Sequence, residues 1–529
     1  MINSVGGSCG KVGRAFGLGW FVLALTLAVA GCSGSSSSSS STTTVTPPGN
    51  PVGSNLTQVS SDPFTVGPGQ HATEVEPHML AIGNTLVAAF QTGRIGPGGS
   101  TDIGWATSSD GGTTWTHGFL PGLTTGEGSG PYDAASDPAV AYDAKHGVWM
   151  IASLPISNTS QTPAVVVSRS TDGMTWQNPV SADPRSPNSD KNWIACDSWA
   201  SSPYYGNCYL EWDEPPSDEI LMSTSSDGGL TWGTATATAN LAEGIGGQPV
   251  VQPNGTVVVP TEAFVTVGGV PETVMSAFVS SNGGVSWTAS AMIANIQAHT
   301  DAGGIRSGPL PSAAVDGAGT VWVVWEDCRF RANCSTNDLV YVTSTSTSMD
   351  GVNWSAVTRV PIDATTSTVD HFIPGIGIDP ATSGAGAHVG LHYYYYPESN
   401  CTAATCQLFV GYISSANGGS TWNAPVALSG AMQLGSLPNS QNGLMVGDYV
   451  ATVFTNGVPH GVFAVALAIS GGTYSEAIYT GQGLTVAAAG RQLSSAGDRP
   501  LHKLSDKVEQ EQPEKGAIPP SGRSRRRAK

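Results

Sequence analysis

A short sequence motif that occurs six times limits what this chain can fold into. The clearest copies are SSDGGTTW at 108–115 and SSDGGLTW at 225–232, and the closing tryptophans of all six copies lie 55 to 68 residues apart. In each copy an Asp or Asn side chain can accept hydrogen bonds from amides of its own turn, and the following Gly takes the positive φ of a tight hairpin. Such turns at a nearly regular spacing predict an array of small β-sheets. The weaker copies are SSNGGVSW (280–287), SANGGSTW (415–422), STDGMTW (170–176) and SMDGVNW (348–354).

Short apolar strands fill the sequence between these turns, and each tryptophan is expected to pack on the sheet that it rejoins. The first strand of each unit is predicted to begin near one of seven positions. The last unit lacks the repeated motif. Residues 56–66 are free to supply the outer strand that this unit is missing. The sequence therefore favours an all-β propeller of seven blades, with six as the alternative. The seven starts are Glu76, Asp137, Lys191, Gln248, Leu310, His371 and Val446.

The six turns resemble the Asp-box, or bacterial neuraminidase repeat, of sialidase-like β-propellers, and the resemblance covers roughly residues 70–480. It implies a propeller whose repeated turns are structural staples on the face opposite the active site. Sialidases have six blades, so a count of seven departs from that pattern.

Charge is unevenly distributed along the chain. Between residue 32 and residue 490 there are nine basic and 34 acidic residues, which gives this body a formal charge of −25. Such a surface repels phosphate backbones, so nucleic acid is excluded as a partner. No repeated Asp spacing specifies a metal site, so no cofactor is predicted, although Ca²⁺ would suit the carboxylates.

The ends of the chain predict export. Lys11 and Arg14 precede an apolar run that leads into Val29-Ala30-Gly31-Cys32, which resembles the bacterial lipobox, in which the cysteine is acylated. We therefore expect a signal peptide at 1–31, a Ser/Thr-rich tether at 32–54, the propeller at 55–490 and a disordered basic tail at 491–529. The expected product is a monomeric lipoprotein, attached through Cys32 to an outer membrane or cell surface. The alternative is an ordinary signal peptide in which Cys32 has no such role.

Cysteine spacing also suits an oxidising compartment. Six cysteines remain beyond the leader and Cys32, and they form three close pairs, none with zinc-ligand spacing. We expect each pair to be a structural disulfide that closes a loop. The pairs are Cys196 with Cys208, Cys328 with Cys334, and Cys401 with Cys406.

Function is expected on the face opposite the repeated turns, where the starts of the inner strands and the loops between second and third strands converge. Five of the nine basic residues of the body fall there: Arg94, Lys191, Arg306, Arg329 and Arg331. Their alternative role is to brace loops, with Arg329 and Arg331 paired to Glu326 and Asp327. The strand starts add the following residues: Glu76, His78, Asp137, Asp190, Trp193, His371, Asp448 and Tyr449.

The sialidase resemblance implies three arginines around a substrate carboxylate, with a Tyr nucleophile beside a Glu and an Asp as acid/base. By position in the array, Arg94, Arg306 and Arg329 would bind the carboxylate, Tyr449 would be the nucleophile and Glu326 its base. Lys191, Trp193, His371 and Asp448 complete the predicted substrate site. The Arg-Ile-Pro signature of the family is absent, because Glu76-Pro77-His78 stands in its place.

Two further hypotheses remain open. Carboxylates such as Asp213, Glu214, Glu326 or Asp327 would hydrolyse a neutral glycan, with Trp193, Trp212, Trp325 and the tyrosines at 393–396 stacking on sugar rings. Alternatively, these aromatic residues are ordinary core, and the protein is a non-catalytic glycan- or protein-binding propeller at the cell surface. A catalytic site would require a desolvated carboxylate with a shifted pKa beside its partner.

Overall fold

Antiparallel strands follow one another in short meanders in the computed structural model, which describes residues 50–157, 161–183, 188–344 and 353–486. The expectations for the signal peptide, for most of the tether and for the basic tail fall outside these residues. Helical structure in the described residues is limited to four 3₁₀ turns at Ala302–Gly304, Ala332–Cys334, Gly384–Gly386 and Leu434–Ser436. No described helix has the length and apolar character needed to cross a bilayer.

The first half of the strands comes from residues 56–245. These strands are β1 (Leu56–Gln58), β2 (Gln70–Ile82), β3 (Thr85–Arg94), β4 (Ser100–Ser108), β5 (Thr116–Phe119), β6 (Ala134–Asp143), β7 (Val148–Ile156), β8 (Val165–Ser170), β9 (Val180–Asp183), β10 (Asp190–Cys196), β11 (Cys208–Glu214), β12 (Glu219–Ser225), β13 (Thr236–Ala237) and β14 (Gly244–Ile245).

The remaining strands come from residues 250–481. They are β15 (Val250–Val251), β16 (Val257–Val267), β17 (Val270–Ser280), β18 (Ala291–Asn295), β19 (Ser312–Val315), β20 (Val321–Asp327), β21 (Asp338–Thr343), β22 (Thr358–Arg359), β23 (Asp370–Ile378), β24 (Val389–Tyr396), β25 (Gln407–Ser415), β26 (Val426–Ala427), β27 (Met432–Gln433), β28 (Asn439–Ser440), β29 (Gly443–Leu444), β30 (Ala451–Thr455), β31 (Val458–Ala466) and β32 (Glu476–Gly481).

The sheets form a β-propeller arrangement around an axial channel. Five separate sheets have four or five strands: β10–β13, β14–β18, β19–β22, β23–β27, and β30–β32 with β1. Strands β2–β9 form one eight-stranded sheet, and β28 pairs with β29. The prediction of seven separate blades, like its alternative of six, was therefore wrong, because the described residues contain five such sheets.

The eight-stranded sheet arises from one close backbone approach. Its two halves are joined by the single residue pair Ser100–Ala135, and the Ser100 hydroxyl donates to the Ala135 carbonyl at 2.9 Å. Gly99 makes this approach possible, since a Cβ at that position would lie 3.0 Å from the same carbonyl oxygen. The merger of β2–β5 with β6–β9 therefore depends on a glycine rather than on a continuous strand ladder.

The N-terminal strand closes the ring as the sequence predicted. Leu56–Gln58 pairs antiparallel with Tyr479–Gly481 of the last sheet, which covers an edge that would otherwise be exposed. The three predicted disulfides are also present, with Cys196 and Cys208 facing each other across β10 and β11. Both predictions are confirmed.

The repeated turns are held by their acidic side chain. In the copy at 225–232, Asp227 accepts hydrogen bonds from the amides of Leu230 and Thr231, both at 3.0 Å, and from the Ser225 hydroxyl at 2.9 Å. Gly228 and Gly229 have φ values of 73° and 75°. A Cβ on Gly229 would lie 2.6 Å from the Met150 sulfur of the preceding sheet, so this glycine also permits contact between neighbouring sheets.

The repeated turns lie where the sequence analysis placed them, on the face opposite the expected functional face. The Gly111 amide in the first copy donates to the Asn84 carbonyl at 2.9 Å. Asn84 connects β2 to β3, at the end of β2 that is remote from Glu76. The repeated turns therefore lie at the opposite end of the strand from the residues discussed below.

We predict that Asp227→Ala destabilises the protein by about 1–3 kcal/mol, because several amides and hydroxyls lose a charged acceptor. Asp227→Asn is the matched control and should cost far less, since Asn282 and Asn417 occupy the same position in two natural copies. Urea unfolding of both variants measures the difference. Equal losses for Ala and Asn would contradict the role given to the side-chain acceptor.

Candidate functional site

Four inner strands carry the same irregularity at the face opposite the repeated turns. The pairing register shifts at residues 76–77 of β2, 137–138 of β6, 191–192 of β10 and 373–374 of β23. The first residue of each bulge has a left-handed backbone, with φ between 44° and 53°. Non-glycine residues rarely adopt this conformation, and it concentrates at functional sites. The four residues are Glu76, Asp137, Lys191 and Ile373.

Three of these bulges bring charged side chains together near the propeller axis. Lys191 Nζ lies 3.4 Å from a Glu76 carboxyl oxygen, 3.2 Å from an Asp137 oxygen and in hydrogen-bond contact with Asp448. Arg306 Nε donates to Asp448 at 2.6 Å, and its Nη2 pairs with the other oxygen. We call Glu76, Asp137, Lys191, Arg306 and Asp448 the axial charge cluster.

The cluster is closely packed but not sealed. The Glu76 side chain has no exposed surface, whereas Asp137, Asp448 and Lys191 keep 6–8% and Arg306 keeps 17%. Lys191 and Asp448 also line a narrow cleft with Trp193, Gln248 and neighbouring residues. A ligand in this cleft would meet Lys191 and Asp448 before it met Glu76.

Burial and charge displace the pKa values of these groups in different directions. Burial raises the pKa of Glu76 to about 7, with Asp137 and Asp448 adding to the effect. For Asp137, burial is the largest effect and opposes ionisation, but the ammonium of Lys191, the Ser136 hydrogen bond and Arg306 together lower the pKa. The pKa of Asp448 is likewise lowered, because Arg306 and Lys191 overcome its burial. Glu76 therefore keeps its proton to a higher pH than an ordinary carboxyl group, while Asp137 and Asp448 ionise at a lower pH than usual.

A second layer of polar groups holds Glu76 in place. Gln91 donates to Glu76 and, at 3.1 Å, to the Ser136 hydroxyl, while Ser136 donates to Asp137 at 2.5 Å. Arg94 donates to the Gln91 side chain at 2.9 Å and to the Gly99 carbonyl at 2.8 Å. Burial lowers the pKa of Arg94, with Arg306 contributing. Arg94 therefore supports the cluster through Gln91 and is itself almost fully buried.

Aromatic rings line one side of the cluster. The Trp193 ring lies 4.4 Å from His78 and 5.0 Å, edge-on, from Tyr449, measured between ring centroids. The Tyr449 hydroxyl donates to the Pro138 carbonyl at 3.0 Å. Burial raises the pKa of Tyr449 well above its usual range, and Glu76 and Asp137 add to this shift. Trp193 is half-buried, so it is the ring available for stacking.

The structure brings together six of the residues predicted for the site from sequence. Arg94, Lys191, Trp193, Arg306, Asp448 and Tyr449 all belong to the axial charge cluster or its immediate surroundings. Glu76 and Asp137 were noted at strand starts but left out of the predicted site. The repeated signal was a charged residue followed by proline, as in Glu76-Pro77 and Asp137-Pro138.

Arg329 and Asp327 do not join this cluster. Arg329 forms a two-pronged ion pair with Asp327, with Nε and Nη2 at 2.8 and 2.7 Å from its two oxygens. Arg331 pairs instead with Asp338 and Asp363, at 2.6 and 2.7 Å. Both arginines therefore brace the loop closed by the Cys328–Cys334 disulfide, although Arg331 does so through partners that the sequence analysis did not name.

Glu326 lies in a different acidic group from Tyr449. Its carboxyl group accepts the Ile373 amide at 3.1 Å, and burial raises its pKa, with Asp301 adding to the effect. His371 is buried nearby, and burial lowers its pKa to about 4. The carboxyl groups that act on Tyr449 are those of Glu76, Asp137 and Asp448, so the structure does not pair Tyr449 with Glu326.

Asp213 is completely buried on β11, beside the cluster rather than within it. Neither of its carboxyl oxygens has a hydrogen-bond partner, and burial raises its pKa well above the usual range, with Glu211 next in effect. Trp212, Trp325 and the four tyrosines at 393–396 are also buried. Of the two alternatives for these six rings, ordinary core is therefore confirmed, because they belong to the hydrophobic clusters between sheets.

One group of described side chains has the spacing of metal ligands: Asp338, Asp363 and His371. Arg331 and Arg359 both donate to these two carboxylates, so their charge is already balanced. These residues are therefore better described as an ion-pair network than as a cation site.

No family model matches this sequence, and no curated protein matches it. Among solved structures, a protein of unknown function from Dyadobacter fermentans aligns with 81% of this chain and 99% of its own, at 14% identity and a TM-score of 0.40. The NanB sialidase of Streptococcus pneumoniae covers 77% and 67%, at 14% identity and a TM-score of 0.37. The α-L-arabinanase of Penicillium chrysogenum, complexed with arabinobiose, covers 64% and 93%, at 14% identity and a TM-score of 0.39.

At these sequence identities and TM-scores, the structural similarity gives no information about the activity of this protein. The propeller arrangement rests on the strand pairing described above, and the Asp-box resemblance is not confirmed by a family match.

We predict that Lys191→Met destabilises the protein by about 3–5 kcal/mol at neutral pH, because it leaves buried carboxylates without their shared cation. Loss of the ammonium raises the folded-state pKa values of Glu76, Asp137 and Asp448. Groups with raised pKa values favour the folded state at low pH and lose that contribution as the pH rises. The deficit should therefore be small at pH 4 and large at pH 8 in chemical unfolding.

Lys145→Met, at an exposed position, is the control and should show no such pH dependence. A Lys191→Met deficit that stays constant between pH 4 and pH 8 would contradict the role assigned to the ammonium.

A second prediction concerns Glu262, a buried acid on β16 whose pKa is raised to about 7 by burial alone. In the unfolded state the pKa of Glu262 is near 4.5. Below that pH the contribution of protonated Glu262 to stability is fully present, and it is lost as the pH rises through the folded-state pKa of about 7. Glu262→Gln should therefore stabilise the protein by about 1–3 kcal/mol at pH 9 and have little effect at pH 4. Thermal unfolding at both pH values tests this, with the exposed Glu398→Gln as control.

Proposed function

We propose that this protein is a carbohydrate-active propeller that hydrolyses glycosidic bonds at the axial charge cluster. The observation that carries the proposal is a pair of carboxyl groups, Glu76 and Asp137, that share one ammonium and have pKa values displaced in opposite directions. Such a pair supplies an acid and a base at the same pH. Glu76 would protonate the leaving oxygen, and Asp137 would act as base or nucleophile.

The separation of the two groups suits this chemistry. Lys191 Nζ lies 3.4 and 3.2 Å from one oxygen of each, so those oxygens are at most about 7 Å apart, an upper bound that is compatible with the roughly 5 Å separation of retaining glycoside hydrolases. Trp193 would stack on a sugar ring in the cleft, with Lys191 and Asp448 as polar contacts.

We infer that the sugar at the reacting position is uncharged. Arg306 and Lys191 are already paired with Asp448, and Arg329 is paired with Asp327. A sialic acid carboxylate would therefore have to displace Asp448 to meet Arg306, and Arg94, which has no carboxylate partner among the described residues, is almost fully buried. The Tyr449 hydroxyl is engaged with a carbonyl and its pKa is raised, which also disfavours a tyrosine nucleophile.

A second candidate function is glycan binding without catalysis. Its support is that Glu76 has no exposed side-chain surface, so a substrate oxygen would reach it only after movement of Lys191 or Asp448. In this alternative the axial charge cluster is a rigid platform, and Trp193 and the cleft provide the binding surface.

Our proposal also includes a cell-surface location. The lipobox-like Val29–Cys32 and the Ser/Thr-rich tether support export and attachment through a lipid on Cys32. Carbohydrate outside the cell would then be the partner of a monomeric protein.

The test is hydrolysis of a panel of fluorogenic glycosides, including neutral α- and β-glycosides and an α-sialoside. Glu76→Gln should reduce kcat by at least about 100-fold, since it removes the general acid. Because Glu76 must be protonated, wild-type activity should fall as the pH rises through 7. Because Asp137 must be ionised, activity should also fall at acidic pH.

Glu262→Gln is the matched control, because it removes a buried acid of similarly raised pKa outside the cluster. Turnover confined to the sialoside and abolished by Arg306→Ala would overturn the uncharged-sugar inference. If no glycoside is turned over while a glycan array shows saturable binding that Trp193→Ala removes, glycan binding is the function.

A further inference from the structure

The inner strands enclose a second cavity directly below the axial charge cluster. Segments of seven strands or strand starts line this axial channel, which has a volume of about 340 Å³. Trp193 and Gln248 belong both to its wall and to the cleft beside Lys191. The far end lies near Ile82 and Phe454. The five residues of the axial charge cluster do not contribute to the wall, and the channel meets the cleft of the proposed site at Trp193 and Gln248.

The wall of the axial channel is mainly apolar. Aliphatic side chains from successive inner strands supply most of it, as Met79, Val140, Val250, Val315, Ile376 and Val450 illustrate. Among the described residues that line it, none carries a charge at neutral pH. His78 is the one imidazole in the wall, and burial lowers its pKa to about 3.

Several polar side chains of the wall are used for bonds between neighbouring inner strands. His78 Nδ1 accepts the Val140 amide at 2.8 Å, and Gln248 accepts the Ala313 amide at 3.0 Å. These contacts occupy backbone groups at the free edge of the next inner strand, which would otherwise face the axis.

The same pattern continues around the ring. The Ser312 hydroxyl accepts the Ile376 amide at 3.0 Å, and Thr452 donates to the Gly375 carbonyl at 2.6 Å. The Trp199 indole donates to the Val251 carbonyl at 2.7 Å. These bonds use part of the hydrogen-bonding capacity of the polar wall groups, which reduces the hydration of the channel.

From this wall we infer that the axial channel is a binding site for an uncharged, largely apolar small molecule. Its volume is in the range of small-ligand cavities, which are mostly apolar with few polar groups. A charged ligand would lose its hydration without meeting a compensating charge. The inference does not depend on the proposed hydrolysis, because none of the residues of the axial charge cluster lines the channel.

The test is titration of the purified full chain with N-phenyl-1-naphthylamine, an uncharged two-ring fluorophore whose emission rises in apolar surroundings. Saturable one-to-one binding is expected. Ala313→Phe should weaken binding at least tenfold, because Ala313 lines the channel and is only half-buried. Ala424→Phe, at an exposed position outside the wall, should bind like the wild type. A naphthalene carboxylate should compete poorly, whereas naphthalene itself should compete well.

The inference is overturned if emission does not saturate, or if folded Ala313→Phe binds as tightly as Ala424→Phe. Equal competition by the carboxylate would also overturn it. If Ala313→Phe does not fold, Ala313→Val decides the matter, and unchanged affinity in that variant would count against the channel. Glu76→Gln should bind the fluorophore normally, so a failure of the hydrolase proposal is distinguished from a failure of this one.

Discussion

The ammonium of Lys191 is the interaction on which the functional face depends. It contacts carboxyl groups from β2, from β6 and from the segment before β30, so it links parts of the chain more than 350 residues apart. Without it, several carboxylates would be buried with Arg306 as their main partner, at a large desolvation cost. The pKa of Glu76 is raised because burial outweighs the effect of this cation, whereas the pKa of Asp137 is lowered because the cation acts together with the Ser136 hydrogen bond and Arg306.

The same bulges that create the cluster also organise the channel below it. The first residue of each bulge has a left-handed conformation. After the bulge, regular strand residues line the axial channel. At three of the four bulges the first residue is charged, and the residues that follow on these strands are apolar or bonded to the next strand's edge, as His78 is to the Val140 amide. One backbone irregularity therefore separates a polar face from an uncharged channel within a few residues.

Much of the fold was predictable because its signals are local. The repeated turns, the disulfide pairs and the closing strand at Leu56–Gln58 each depend on residue type and spacing. The number of separate sheets was not predictable, because the junction at Ser100–Ala135 depends on a single close approach beside Gly99. For the site, Lys191, Arg306 and Asp448 were predicted, but Glu76 and Asp137 were not, since nothing local shows that their bulges point toward one cation.

The sequence by itself determined an all-β repeat array, its turn chemistry and the group of residues that face one end of it. Only the tertiary structure decided which of those residues meet. Arg329 pairs with Asp327 two residues away, whereas Arg306 pairs with Asp448 across 142 residues. The sequence predicts that both arginines lie on the same face. Which carboxylate each one pairs with depends on distances of a few ångströms. Such distances are fixed by how the sheets pack, which residue spacing along the chain does not reveal.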